Sequence, residues 1–159
     1  MFREMLRNRN ALPREECVRL LTEETRGVLS VLGDEGYPYG TPMNHFYNPD
    51  DGCIYFHCGK APSHRTDALK QCDKVSFCVY DSGTRPEGEW AYTVNSVIVF
   101  GRVQILDDSA LIADLAARLS RKFTTDEAYI HREIEQSGPN TLLLKLIPDH
   151  ICGKRVKEA

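Results

Sequence analysis

The sequence lacks the features that would place this chain in a membrane or on nucleic acid. No apolar run approaches the roughly 20 residues needed to cross a bilayer. The arginines of the opening MFREMLRNRN are not followed by the apolar core of a signal peptide. The formal net charge is −3, so no basic nucleic-acid surface is indicated. We therefore expect a cytoplasmic protein that binds neither a membrane nor nucleic acid.

The six cysteines lack the close spacing of a metal site or a redox pair. None forms a CxxC motif, and without a signal peptide they are expected to be reduced thiols. The metal hypothesis is a zinc site made of Cys53, His57, Cys58 and His64. Strand alternation would place Cys53 and His57 on one face and Cys58 on the other, which disfavours a shared ion. We predict no metal site, and thiols that act as small buried apolar side chains.

Length and hydrophobic patterning predict one globular domain spanning residues 1–159. The chain is 42% hydrophobic and 27% charged, as is ordinary for a folded domain with its own core. Alternation and helical periodicity predict helices over 13–24, 66–72, 111–123 and 126–136, and strands over 27–32, 37–47, 53–58, 74–80, 94–106 and 142–147, with a charged trailing segment over 148–159. Gly101 should mark a bend or bulge. This order favours a small antiparallel barrel with peripheral helices.

The stretch 37–67 contains a candidate anion site. A turn at 49–52 separates two strands, and the loop 59–63 then leads into a helix. Ser63, His64 and Arg65 stand at the start of that helix. A guanidinium fork, a hydroxyl and helix-initial N–H groups together suit a phosphate. The alternative interpretation is a basic pair that is simply solvated.

Four motifs in sequence order resemble those of the 5-nitroimidazole resistance (Nim-type) proteins. They are YPYGTPMNHFY over 37–47, IYFHC over 54–58, SHRTDAL over 63–69 with KVSFCV over 74–79, and NSVIVFGRVQILDD over 95–108. Nim-type proteins are a branch of the FMN-binding split β-barrels related to pyridoxamine 5′-phosphate oxidase. The resemblance implies a mainly β (α+β) fold, a six-stranded antiparallel split β-barrel with peripheral helices. It also implies a homodimer with FMN at the interface.

The resemblance assigns cofactor contacts to four segments. In the family these segments hold, in turn, the flavin ring, the ribityl chain, the phosphate, and the flavin of the partner across the dimer. The matching residues are Thr41, Pro42, Met43, Asn44 and His45; Phe56, His57 and Cys58; Ser63, His64 and Arg65; and Asn95, Ser96 and Val97. The phosphate loop is one residue longer than in the family, and Ser63 replaces a glycine. Pro42 would also fit an ordinary edge strand.

The implied function is flavin-dependent reduction of a small flat acceptor such as a nitroimidazole. His57 is the candidate catalytic residue because histidine titrates near neutral pH, although it could equally be a structural histidine bonded to a backbone carbonyl. No GxGxxG motif is present, so NADH or NADPH would bind only transiently. Trp90 and Tyr92 could line the substrate side, or Trp90 could pack at an interface.

Four alternatives remain open at the level of sequence. Pyridoxamine phosphate oxidation is disfavoured because Gly153-Lys154-Arg155 is a weak substitute for an arginine-rich substrate motif. Haem or deazaflavin could bind on the same scaffold, with His57 or His150 as an axial ligand of haem, although one histidine is weak evidence. A non-catalytic FMN-binding protein and a cofactor-free dimer complete the set. An absorption spectrum with and without FMN would separate them.

Overall fold

The chain forms one antiparallel sheet of seven strands with four α-helices around it. This computed structural model describes residues 1–3, 6 and 8–158. The elements in chain order are α1 (Arg14–Glu23), β1 (Arg26–Leu32), β2 (Pro38–Asn44), β3 (Phe46–Asn48), β4 (Cys53–Gly59), α2 (His64–Gln71), β5 (Lys74–Tyr80), β6 (Thr93–Leu106), α3 (Ser109–Ser120), α4 (Glu127–Ser137) and β7 (Thr141–Lys157).

A one-residue corner at His45 makes the sheet curl into a split barrel. The strand order is β2-β1-β5-β6-β7-β4-β3, so β2 and β3 lie at opposite ends of the sheet. Only His45 separates these two strands in sequence. Because successive Cα atoms are about 3.8 Å apart, the two ends of the sheet must meet there. The predicted antiparallel split barrel is confirmed, but the predicted single strand over 37–47 is divided, which gives seven strands and not six.

The longest ribbon of the barrel joins β6 to β7. Its pairing runs from Thr93 opposite Lys157 to Leu106 opposite Leu143, with a register shift at Gly101. A Cβ atom at Gly101 would lie 2.2 Å from the carbonyl oxygen of Ile147, so the bulge requires glycine. The predicted bulge is therefore confirmed.

The predicted trailing segment 148–159 belongs to β7 as far as Lys157, and residue 159 lies outside the described residues. Its backbone groups pair with the first half of β6. Ile151 packs against the core and Gly153 is buried, but the charged residues that follow hide this alternation in the sequence. A long partner strand therefore decides the conformation of a locally polar segment.

The helices cover the barrel from two sides. Helix α1 buries Cys17 and two leucines against the main core, α3 covers a smaller cluster that includes Ile112, and α4 packs against α3. Helix α2 begins at His64, two residues earlier than predicted, because Ser63 caps it. Helix α3 ends at Ser120, and Phe123, which was predicted to extend its stripe, is exposed. None of the helices in the described residues is long and apolar enough to cross a membrane.

Candidate functional site

The side chain of Arg65 lies in the gap between β2 and β4. Its Nη1 atom is 3.4 Å from Thr41 Oγ1 and 3.2 Å from Met43 Sδ. Its Nε atom is buried and has no hydrogen-bond partner. No carboxylate among residues 1–3, 6 and 8–158 forms an ion pair with this guanidinium. Arg65 as a whole is half-buried, and a guanidinium partly removed from water without a counter-charge is costly, so this position suits an anionic ligand.

Cys58 faces Arg65 from β4. Burial raises the pKa of the Cys58 thiol, and the charge and hydrogen bond of Arg65 partly oppose this rise. The thiol therefore stays protonated near pH 7 and does not neutralise the guanidinium. Thr41, Met43, Cys58 and Arg65 are the predicted site residues that the fold brings together.

Ser63 and His64 serve the helix and the neighbouring turn. The Ser63 hydroxyl accepts a hydrogen bond from the N–H of Thr66 at 3.3 Å in a capping box. The His64 ring lies 4.2 Å from that of Tyr39, and its Nε2 atom accepts from the N–H of Asp34 at 3.3 Å. Of the predicted trio, only Arg65 reaches the gap. Ser63 fixes the helix start that carries it, and the role of the other two at a phosphate stays a prediction.

Strand β2 is the edge of the sheet and has a hydrogen-bonded neighbour on one side, β1. Pro42 is exposed and stands opposite Val28 in that pairing. The edge-strand interpretation of Pro42 is thus confirmed. Asn44 Oδ1 accepts a hydrogen bond from Arg26 Nε at 3.0 Å, which fixes its amide. An edge strand offers backbone groups to a planar ring laid beside it.

His45 lies in the core and not at the surface of the barrel. Its ring is fully buried, with Nε2 2.8 Å from the carbonyl oxygen of Leu21 and the edge of the ring packed on Phe77. Burial, aided by the charge of Lys122, lowers the pKa of His45 to about 4. The buried ring has no face open to a ligand, and the predicted flavin contact of the segment Thr41 to His45 stays a prediction. The residue acts as the packed corner between β2 and β3.

His57 leaves β4 on the opposite face from Cys58, as alternation predicts. It lines a pocket of about 250 Å³ between α3, α4 and Thr141. Burial lowers its pKa, so the ring is neutral near pH 7. Phe56, the other predicted contact on this strand, is fully buried against Phe77. The candidate catalytic histidine therefore lies on the face of β4 opposite to Cys58 and Arg65.

No metal cluster accompanies these residues. Within the described part of the chain, no group of three or more His, Cys, Asp or Glu side chains is placed to hold an ion. Cys53 packs in the cluster under α3, whereas Cys58 belongs to the main core. The four residues of the zinc hypothesis are thus divided between two faces of β4 and the start of α2.

Asn95, Ser96 and Val97 lie on β6, three strands from β2 in the sheet. Val97 is fully buried in the core. Asn95 is held by Asp81, through Nδ2 to Oδ2 at 2.7 Å, and by Arg155. Their predicted contact with a partner's flavin stays a prediction. Sequence reasoning missed Arg85, which lines a notch with Asn95 and Arg155, because no motif or spacing links it to β7.

Comparison with known proteins gives one family and several structural relatives. A family profile for pyridoxamine 5′-phosphate oxidase matches residues 13–155. A protein provisionally named for 5-nitroimidazole antibiotic resistance, from Bacteroides thetaiotaomicron, has a TM-score of 0.74 at 17% identity over 92% of this chain and 87% of its own. An FAD-binding protein from Mesorhizobium loti scores 0.63 at 20% identity over 92% and 96%. A flavocytochrome from Azotobacter vinelandii scores 0.73 at 18% identity over 95% and 71%. These likenesses show the fold, and no curated protein matches the chain significantly.

Proposed function

Because this chain belongs to the pyridoxamine 5′-phosphate oxidase family, we propose that it binds FMN and reduces a small flat acceptor such as a nitroimidazole. Two structural relatives support a flavin, since one is named as FAD-binding and another as a flavocytochrome. The relative from Bacteroides supports the choice of acceptor through its provisional name. When bound, FMN would supply the electron-transfer chemistry, and the protein would bind and orient it.

The position of Arg65 carries the proposal. Its guanidinium is inserted between β2 and β4 next to Thr41, Met43 and Cys58, and its Nε atom is buried and unpaired. A phosphate would supply the missing charge and accept from the free N–H groups. The N-terminus of α2, capped by Ser63, adds partial positive charge at the same residue. These residues therefore fit the phosphate of a flavin nucleotide.

Strand β2 would hold the flavin ring. Its edge faces away from β1, and the exposed Pro42 presents a flat apolar surface there. The N–H and C=O groups along an edge suit the donors and acceptors of the pyrimidine part of the ring. Met43 connects this edge to Arg65, so ring and phosphate would be held by adjoining residues.

We further propose that the protein is a homodimer formed through the outer face of the sheet. One apolar side chain from each of five strands forms a row across this face, and the pairing register places them side by side. The row is Pro42, Val28, Cys78, Ile98 and Cys152. An apolar stripe that crosses five strands on the solvent face is typical of an interface. A second copy would bring β6 and its Asn95 towards the partner's flavin.

The catalytic role of His57 belongs to the proposal as well. Its ring is open to the pocket below α3 and α4, is neutral near pH 7 and can donate one N–H. A non-catalytic flavin-binding protein is the second candidate, because His57 leaves β4 on the face opposite to Cys58, which contacts Arg65. All six cysteines are free thiols, which supports a reducing compartment such as the cytoplasm.

The test is an FMN titration followed by absorbance and fluorescence, with FAD in a parallel arm. Substituting Arg65→Gln should weaken FMN binding about 10- to 100-fold, the value of a charge-assisted hydrogen bond. Arg19→Gln is the matched control, because Arg19 is exposed on α1 and pairs with Glu16 and Glu23. Equal FMN affinity in the wild type and Arg65→Gln would move the phosphate site elsewhere. Failure of the wild-type protein to bind either FMN or FAD would refute the proposed function.

A further inference from the structure

The pocket of about 250 Å³ beside His57 lies between one face of α3 and one face of α4. On α3 its lining residues Ile112, Ala116 and Ser120 are spaced four apart, so they share one face of the helix. On α4 the lining residues Ile130 and Ile134 are also four apart. Because Ala116 and Ser120 have short side chains, the two helices leave space where longer side chains would pack.

The walls of this pocket are held in place at both ends of α4. Arg121, directly after α3, donates two hydrogen bonds of 2.8 and 2.9 Å to the carboxylate of Glu127 in the first turn of α4. At the other end, Thr141 Oγ1 donates to the carbonyl oxygen of Ser137 at 2.8 Å and so ties α4 to the start of β7. The pocket is therefore formed before any ligand binds, as is usual for sites that bind small molecules.

The lining combines an apolar surface with one carboxylate. Ile112 and Ile130 are buried, whereas Glu133 is exposed and brings its carboxylate to the pocket. Within the described part of the chain, Glu133 forms no ion pair, and no lysine or arginine lines the pocket. Arg132 lies outside the lining, with its guanidinium 6.0 Å from the centre of the Tyr129 ring. This charge distribution favours a cation with an apolar body and disfavours an anion.

We propose that this pocket binds a small apolar amine in its protonated form. The hydrocarbon body would pack on Ile112 and Ile130, and the ammonium group would remain at the exposed end, next to Glu133. The neutral ring of His57 can accept one of the ammonium hydrogen bonds through its unprotonated nitrogen. His57 is the one residue that this site shares with the proposed function, and binding of the amine requires no flavin.

An NMR titration of the full chain with benzylamine, without flavin, tests the site. We expect saturable shifts of amide signals in α3 and α4, with a Kd of about 1 mM, which is reasonable for a ligand of this size. Ala116→Leu should weaken binding about tenfold or more, because the larger side chain occupies the space. Ala110→Leu is the matched control, since Ala110 is an exposed alanine on the same helix that does not line the pocket.

A second pair of variants tests the charge. Glu133→Gln should weaken benzylamine binding about threefold, the size expected of an exposed charge pair, and should leave the binding of benzyl alcohol unchanged. Glu135→Gln, at an exposed position on α4 that does not line the pocket, should bind both ligands as the wild type does. Benzoate, which has an anionic group on the same ring, should bind more weakly than either ligand.

Three results would overturn the site: no saturable binding, unchanged benzylamine affinity in Ala116→Leu, or tighter binding of benzoate than of benzylamine. If Ala116→Leu does not fold, Glu133→Gln decides, and an unchanged ratio of benzylamine to benzyl alcohol affinity would overturn the proposal. Benzylamine binding in a protein that binds no flavin would refute the proposed function alone. Flavin binding without benzylamine binding would refute this pocket alone.

Discussion

The corner histidine makes the stability of this fold dependent on pH. Burial, and then the charge of Lys122, lower the pKa of His45 to about 4 from an ordinary value of 6.5. Its Nε2 atom faces the Leu21 carbonyl, so Nε2 carries the proton of the neutral ring. The Nδ1 atom is buried with no partner, and protonation would leave an unpaired N–H there. The native state therefore resists protonation.

The sign and size of the effect follow from this shift. Between about pH 6.5 and pH 4 the unfolded chain binds a proton at His45 and the native chain does not, so the free energy of unfolding falls as the pH falls. The loss from this residue should be about 2 kcal/mol between pH 7 and pH 5, and about 3 kcal/mol in full. His57, whose pKa is also lowered by burial, adds a loss of the same sign.

Urea unfolding followed by circular dichroism, at pH 5 and pH 7, measures this loss. His45→Gln keeps a donor for Leu21 but cannot titrate, so it should remove about 2 kcal/mol from the difference between the two pH values. His131→Gln, at an exposed position on α4, is the control and should leave the difference unchanged. An equal pH-dependent loss in wild type and His45→Gln would refute the reasoning. If His45→Gln does not fold, NMR titration of the wild-type ring decides, and a His45 pKa near 6.5 would refute it.

Two further predictions test the proposed chemistry and assembly. His57→Ala should lower acceptor turnover about 10- to 100-fold while FMN affinity changes by less than about twofold, because general acid catalysis and cofactor binding are separate contributions. Steady-state kinetics and an FMN titration measure the two quantities, and equal losses of turnover and FMN affinity would assign His57 to binding. Ile98→Lys should give a monomer in sedimentation velocity, because it places a charge in the apolar row. Ile147→Lys, at an equally exposed isoleucine outside that row, should remain a dimer, and a dimer in both variants would show that the interface lies outside the row.

The sequence predicts those elements whose signals are local. Strand β5 is found over the predicted residues, the bulge lies at Gly101, and Asp108 caps α3 with its side chain. The alternation of β5 and the Asp108 cap depend on neighbours within a few residues, and a glycine inside a strand pattern is itself a local signal of a bulge.

Features that depend on distant partners could not be predicted in this way. His45 interrupts a segment whose sequence predicts one continuous strand. The interruption depends on residues distant in sequence, since the His45 ring bonds to the Leu21 carbonyl and packs against Phe77. The second half of β7 is set by β6. The site behaves likewise: alternation separates His57 from Cys58, but nothing local shows that Arg65 turns inward to Met43 while His64 turns away to Tyr39.

The one-residue corner at His45 also has a mechanical consequence. The barrel is open along the gap between β2 and β4. The covalent link at His45 closes one end of this gap, and the Arg65 side chain lies further along it. Thermal motion of the barrel must therefore widen the gap at Thr41 and Met43 and cannot widen it at the corner. An anion bound to Arg65 would hold the two sides of the gap together. Its occupancy would then be reported by slower amide hydrogen exchange along β2, even in the dark and without any substrate.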